Sequence, residues 1–402
     1  MNQNKLYTIL ITDGDSRAAL AITRALGKKG HKVIVGHHKE RSLASSSRYC
    51  HKHITYKSPA DDVMEFITSL RGVIIQESID VLIPVTDVTT LPIMQYRSEL
   101  PETCKTPFSD FATLMKAADK LGITELAESI GVDAPHTIMI DEASKLNEIK
   151  KGLSFPVVIK PSRSRVRHEG GWIYTSVSYA DDMTELQSQL IALPTQAYPV
   201  LLQERIIGSG VGVFLCCQNG DPIAAFSHRR LREKPPSGGV SVLRESIPVD
   251  PIALESAKKL LKALKWNGVA MVEFKLDNRD MRPKLMEING RFWGSLQLAI
   301  DSGVDFPSIL ISTLDDNENN TPVFTYKTGI KSRWLWGDID ALLLRLIKPS
   351  AELKLPPGAD GRLMSIMKFM KLWEKNMRYE VLSLDDIKPW LYECRGRVPF
   401  LK

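Results

Sequence analysis

The stretch 272–295, VEFKLDNRDMRPKLMEINGRFWGS, constrains this chain more than any other. The runs MVEFKL and PKLMEI read as two short strands joined by a polar turn at 277–282. Glu273 sits in the first strand, and Glu287 and Asn289 sit at the end of the second. Antiparallel pairing would bring two carboxylates and an amide oxygen to one end of the hairpin, with Arg291 following at once. That grouping suits a hard cation beside an anion. Mg²⁺ takes oxygen ligands and completes its octahedron with water and phosphate oxygens, so a sparse protein contribution is what it requires. A solvated hairpin with its acids facing water is the competing reading, and the rest of the chain has to decide between them.

Composition narrows the classes. At 402 residues the chain has the length of two or three domains, and 43% hydrophobic with 25% charged residues is ordinary for a globular protein. No run approaches the roughly 20 apolar residues of a membrane span, so stable membrane insertion is not expected. The opening MNQNKLYTILIT moves straight into a strand without a signal-peptide layout. Five cysteines, odd in number and without CxxC spacing, argue against a disulfide framework or a zinc site, and a cytoplasmic address is expected. The net charge of +6 is concentrated after residue 330, where 14 Lys/Arg face 9 Asp/Glu. These basic residues are interleaved with acids and lack aromatic interleaving, so nucleic-acid binding is not expected.

Residues 6–38 read strand, turn, helix, strand, the opening of a doubly wound parallel sheet. The turn after the first strand holds one glycine, Gly14, and two acids, Asp13 and Asp15, which disfavours a dinucleotide pyrophosphate there. A second parallel-type strand, IDVLIPV, ends at Asp87; either loop could touch a small substrate, and Ser16 and Asp87 are equally good helix N-caps. The histidines and cysteine around YCHKH (Cys50, His51, His53, with His37 and His38) match no zinc spacing and read as surface loop residues.

Residues 110–131 read as helix, break, helix, and FPVVIKP as a strand that carries Lys160 out of the sheet's end. The loop behind it, with Arg163, Arg165, Arg167 and His168 before two glycines, could cover phosphates or form an exposed basic hairpin. The strand PVLLQE runs into a glycine-rich corner at Gly208 and Gly210, a setting for a planar ring against an apolar wall. The strand DPIAAFSH leads into the run 228–239, whose basic side chains and mobile Pro/Gly turn suggest a second anion clamp. Cys216 and Cys217 read as packing residues. Residues 362–377, with Met364, Met367, Met370, Trp373 and Met377 at helical spacing, read as a helix packed on its own protein, with a membrane surface or partner groove as the alternative.

Taken together, ADKLGITELAESIGVDAPHT, FPVVIKPSRSRVRHEGG, VLLQERIIGSG, HRRLREKPPSGG, GVAMVEFKLD and LMEINGRFWGS resemble the ATP-grasp superfamily of carboxylate–amine/thiol ligases over about residues 5–330. The resemblance implies an α/β architecture: a Rossmann-like pre-ATP-grasp domain (1–108), then an ATP-grasp fold of two α+β subdomains clasping ATP (109–330), and a helical or mixed C-terminal extension (331–402). Within the middle part, 109–202 includes the small lid and 203–330 the larger subdomain. It implies ATP and Mg²⁺, with Mn²⁺ as an alternative ion, and small carboxylate and amine substrates. By motif position, Lys120 and Lys160 resemble the ATP-phosphate lysines. Gln203, Glu204, Arg205 and Ile206 resemble the adenine hinge, with Glu204 near the ring's edge. Glu273, Glu287 and Asn289 resemble the metal ligands, and Arg291, Arg230 and Lys160 the groups around the transferred phosphoryl. Two departures stand out: Gly210 occupies the position where relatives use a glutamate for ribose, and the phosphate loop is arginine-rich.

The chemistry implied is an ATP-dependent, ADP-forming ligation through an acylphosphate, in which positioning and electrostatics do most of the work. A bicarbonate-activating carboxylase or carbamoyl-phosphate-like enzyme and a non-catalytic ATP-binding sensor are the rival readings. A homodimer is among the assemblies the resemblance admits.

Overall fold

The computed structural model describes residues 5–149, 152–161, 165–168, 171–174, 177–236, 239–314, 322–349, 352–353, 355 and 359–397, but not the side chains of 147, 148, 161, 165–168 and 171–174. The first sheet is parallel throughout, in the order β3-β2-β1-β4, from β1 (Thr8–Ile11), β2 (Lys32–His37), β3 (Lys52–Thr55) and β4 (Val81–Ile83). β1, β2 and β4 are almost wholly buried, as apolar runs covered on both faces must be. The helix Arg17–Lys28 starts where the Ser16 hydroxyl accepts the Ala18 amide, and it carries the chain from β1 to β2.

Two helices, Phe111–Ala118 and Lys120–Ser129, lead to the second sheet. Asp119 ends one and caps the other, its carboxylate accepting from the Leu121 and Gly122 amides. The second sheet is antiparallel, in the order β5-β10-β6-β9, from β5 (Thr137–Ile140), β6 (Val157–Pro161), β9 (Ser178–Ala180) and β10 (Val200–Glu204). Between β6 and β9 lies a separate hairpin of β7 (Arg165–His168) and β8 (Gly171–Tyr174). The second sheet has a small core of its own, centred on Val157, Ile159, Leu186, Val200 and Leu202.

The third sheet has seven strands in the order β15-β14-β11-β12-β13-β16-β17. They are β11 (Gly210–Gln218), β12 (Asp221–Lys234), β13 (Val240–Ser246), β14 (Gly268–Leu276), β15 (Pro283–Asn289), β16 (Lys331–Arg333) and β17 (Met377–Tyr379). All its pairs are antiparallel except β16 with β17. Its apolar face merges with that of the first sheet into one continuous core, from Leu10 and Leu20 through Leu114 to Trp266, Phe274 and Trp293. The residues after 330 are tied into this body: β16 and β17 extend the sheet, and buried Arg24 donates to Asp386 Oδ2 (2.9 Å) and to the carbonyls of Glu380, Val381 and Asp386. No helix among the described residues is long and apolar enough to cross a membrane.

Three sequence expectations are corrected here. Lys52–Thr55, expected in a loop, is the edge strand β3; its mixed sequence hides a strand with only Ile54 buried. The strand expected to end at His228 continues to Lys234 against β13, carrying the basic run within it, with register shifts at Arg230/Arg232 and Arg232/Glu233. Ser237 and Gly238 of that run lie outside the described residues. The third concerns Arg362–Phe369: it is a helix, but Met364, Met367 and Met370 face solvent, as does Trp373 beyond it, while only Met377 of the series is buried.

Candidate active site

β14 and β15 pair with Glu273 directly opposite Glu287. Asn289, two residues beyond Glu287, projects from the same face of β15. The three side chains therefore converge as the hairpin requires. The Asn289 amide nitrogen donates to Glu287 Oε1 (3.0 Å), and its oxygen accepts from an Arg291 guanidinium nitrogen (3.2 Å). Gly290 between them admits no side chain, since a Cβ there would lie 2.6 Å from the Trp266 ring and 2.7 Å from Leu114. Arg230, from β12, reaches both oxygens of Glu273 at 3.4–3.5 Å, and Glu233 at 3.1 Å. Burial raises the Glu273 carboxyl above its usual range; Arg230 opposes that rise, and the neighbouring Glu287 adds to it.

Lys160 faces this hairpin from the second sheet. Its ammonium donates to Gln203 Oε1 at 2.5 Å, and Gln203 in turn donates to Thr137 Oγ1 at 2.9 Å. Burial lowers the Lys160 pKa to about 8; the charges of Lys120 and Lys275 push the same way, and Glu287 pushes against them. Lys120, at the first turn of its helix, and Lys275, in β14, thus lie near enough to Lys160 for their charges to act on it, as Glu287 does. Lys275 escaped sequence analysis, although its place two residues after Glu273 on one strand puts both on one face. The lysine also donates to the Ile206 carbonyl (3.3 Å), and burial lowers its own pKa.

Residues 203–206 join the second sheet to the third. Alternation along β10 puts Gln203 on the Lys160 side and Glu204 on the other, where Glu204 is ion-paired with Arg279. The Glu204 and Arg205 amides are taken by the carbonyls of His136 (2.9 Å) and Pro156 (3.3 Å), whereas the Ile206 amide donates no hydrogen bond among the described residues. The corner is tight: a Cβ on Gly208 would sit 1.5 Å from the Leu276 carbonyl oxygen.

The first sheet contributes a residue at its carboxyl edge. Asp87 is not the cap; Thr86 holds that position, and Asp87 accepts from Arg291 Nε at 2.8 Å. Asp13 clips the two loops together, accepting from Thr89 Oγ1 (2.6 Å) and the Thr86 amide (2.8 Å). The expected second clamp on β12 is mostly neutralised: Arg229 pairs with Glu245, Arg232 with Asp338 and Lys234 with Asp340. Only Arg230 of that run turns to the acids, and His228 is buried against Ser295 Oγ (2.7 Å). Arg163 lies outside the described residues, as do the side chains of Arg165, Arg167 and His168.

The donor set fits a Mg²⁺. Glu273 and Glu287 are two adjacent carboxylates whose partners are one loosely placed guanidinium and one amide, and burial resists the ionised form of Glu273. A divalent cation would relieve both, and turning the Asn289 amide would present its oxygen. Among the described residues no three His, Cys, Asp or Glu side chains are grouped to hold a metal, so phosphate and water oxygens would have to complete the shell.

Residues 196–336 match a family model described as "ATP-grasp in the biosynthetic pathway with Ter operon". Among curated proteins, the carbamoyl phosphate synthase large chain of Thermotoga petrophila is 24% identical over 277 residues, covering 64% of this chain. That match spans only 23% of the relative's length. Among solved structures, a biotin carboxylase from Campylobacter jejuni superposes with a TM-score of 0.64 at 14% identity, covering 81% of this chain and 74% of its own. N5-carboxyaminoimidazole synthetase from Staphylococcus aureus, solved with ADP, gives 0.61 at 16% identity over 82% of each chain. L-amino acid ligase from Bacillus licheniformis gives 0.59 at 14%, covering 77% and 74%. The chain carries the ATP-grasp fold, and its central segment matches a family of ATP-grasp proteins.

Proposed function

We propose that the protein is an ATP-dependent ligase that phosphorylates a substrate carboxylate and joins the resulting acyl group to an amine or thiol, releasing ADP and phosphate. The observation that carries this reading is the convergence of Glu273, Glu287, Asn289, Arg230 and Arg291 opposite Lys160. Such a ring of acids, cations and an amide meets the needs of phosphoryl transfer, whereas an ATP sensor need not keep a complete phosphoryl-transfer site.

In this reading the adenine of ATP lies at the 203–206 hinge, where the Ile206 amide is open to it, and Lys160 and Lys120 hold its phosphates. Glu273, Glu287 and Asn289 hold Mg²⁺, which when bound neutralises phosphate charge. Arg291 and Arg230 face the phosphoryl group as it passes to the carboxylate oxygen, where charge develops in the transition state. The acylphosphate formed is then open to the nucleophile: its nitrogen or sulfur bonds to the acyl carbon, the acyl–phosphate bond breaks, and phosphate leaves. No protein nucleophile is required. The family match supports a place in a biosynthetic pathway.

The likeness to carbamoyl phosphate synthase favours one second reading, in which the acid activated is bicarbonate. A screen of carboxylic acids, bicarbonate included, against amines and thiols with Mg-ATP separates the two. Release of ADP and phosphate that requires an organic acid supports the ligase. Release driven by bicarbonate alone supports the second reading, and AMP release contradicts both.

A further inference from the structure

The helix Arg362–Phe369 is amphipathic in the reverse sense to a packed helix. Leu363, Met364, Met367 and Met370 recur at helical spacing and face solvent, and Trp373 just beyond is 88% exposed. At the end of the neighbouring helix Leu335–Ile347, Ile347 is 75% exposed. What holds this helix is its polar end. Arg333 donates to the carbonyls of Phe369 (2.9 Å) and Lys371 (3.3 Å), and Arg232 donates to that of Lys368 (3.3 Å). Both arginines are fixed by buried Asp338. Phe369, the inward aromatic, stacks on the Arg333 guanidinium at 4.5 Å. The apolar stripe therefore contributes nothing to anchoring the helix, which is unusual for a surface this rich in large side chains.

The sequence around the stripe is net positive, although Lys348 pairs with Glu352 and Lys368 with Asp360. Between residues 343 and 378 there are eight Lys/Arg against three Asp/Glu. Lys371 and Lys375, on either side of Trp373, are exposed and make no ion pair among the described residues. A second copy of this chain docking face to face would oppose like charges, which disfavours a symmetric dimer through this patch. An anionic lipid bilayer meets both features at once: acyl chains accept the leucine, methionine and tryptophan side chains, and headgroup phosphates accept the lysines. Tryptophan and lysine side by side are the side chains that settle at a membrane interface.

We propose that this face docks the protein peripherally on anionic phospholipid membranes, with no spanning segment. The docking is independent of the ligase reading, because none of its residues lies at the active site.

The test is co-sedimentation of the full chain with vesicles of phosphatidylcholine alone or with about one-third phosphatidylglycerol, at low and high salt. The partition coefficient should be at least about tenfold higher on the anionic vesicles and fall with salt. The variant Leu363→Gln/Met367→Gln/Trp373→Ser, altered only at exposed positions, should lose at least about tenfold of that binding with an unchanged melting curve. Lys371→Glu/Lys375→Glu should abolish the preference for anionic vesicles. Equal partition of wild type on both vesicles, or full binding by the triple variant, would overturn the proposal. So would a concentration-dependent dimer, seen by sedimentation, that the triple variant abolishes, because it would assign the face to a second copy.

Discussion

The second sheet presents Lys160 on a small apolar core of its own, whereas the hairpin presents Glu273 and Glu287 from a seven-stranded sheet whose core runs into the first sheet. Burial acts on both walls of the cleft in opposite senses: it resists the ammonium on one and the carboxylate on the other. Arg230 offsets part of the cost on the acidic wall, and Glu287 part of the cost at Lys160. The second sheet meets the third through residues 203–206, so the two walls are carried on separate sheets.

The comparison is broken most severely from the acidic side. Glu287→Ala or Asn289→Ala should lower substrate-dependent ADP release by about 10³-fold while leaving the circular dichroism spectrum unchanged; wild-type turnover in either variant would remove the hairpin from the mechanism. On the Lys160 side the loss should appear mainly in binding. Lys160→Ala removes a charged hydrogen bond to phosphate and should raise the Kd for ATP by about 10- to 100-fold.

The depressed Lys160 pKa gives that contact a pH signature. In the free protein the amine loses its proton as pH rises through about 8, so ATP affinity should fall above that pH and be level below it. Lys160→Ala should flatten the profile. The sign for stability is the reverse: between about 8 and 10.5 the unfolded chain holds the proton that the folded chain has lost, so this group makes the protein more stable as pH rises through that window.

The smallest effect belongs to the brace from the first domain. Asp87 is more than half exposed, so its pair with Arg291 is screened; Asp87→Ala should cost about fivefold or less in kcat, with ATP binding unchanged. A loss as large as that of Asn289→Ala would make Asp87 part of the catalytic set.

What could be read from the sequence follows the range of the interactions. The Glu273–Glu287 pairing depends on a six-residue turn and strand alternation, both local, and it was legible, whereas the register shift between Glu273 and Phe274 was not. The helix–break–helix across 110–131 and the strand ending at Lys160 and Pro161 were legible for the same reason. The basic run of β12 was misread because its acid partners are remote: Asp338 and Asp340 lie 106 residues from Arg232 and Lys234. Asp87 was equally hidden, 204 residues from Arg291. Helical spacing disclosed the methionine stripe at 362–377 but carries no sign, so the face it turns to solvent could be found only in the assembled structure.

Calorimetric titration of ATP into wild type and Glu287→Gln, each with and without Mg²⁺, tests the central claim without knowledge of the substrates. Mg²⁺ should tighten ATP binding to wild type by at least about tenfold and leave the variant, whose carboxylate is replaced by an isosteric amide, nearly unaffected. An equal Mg²⁺ dependence in both proteins would contradict the assignment of this hairpin as the wall that receives the metal.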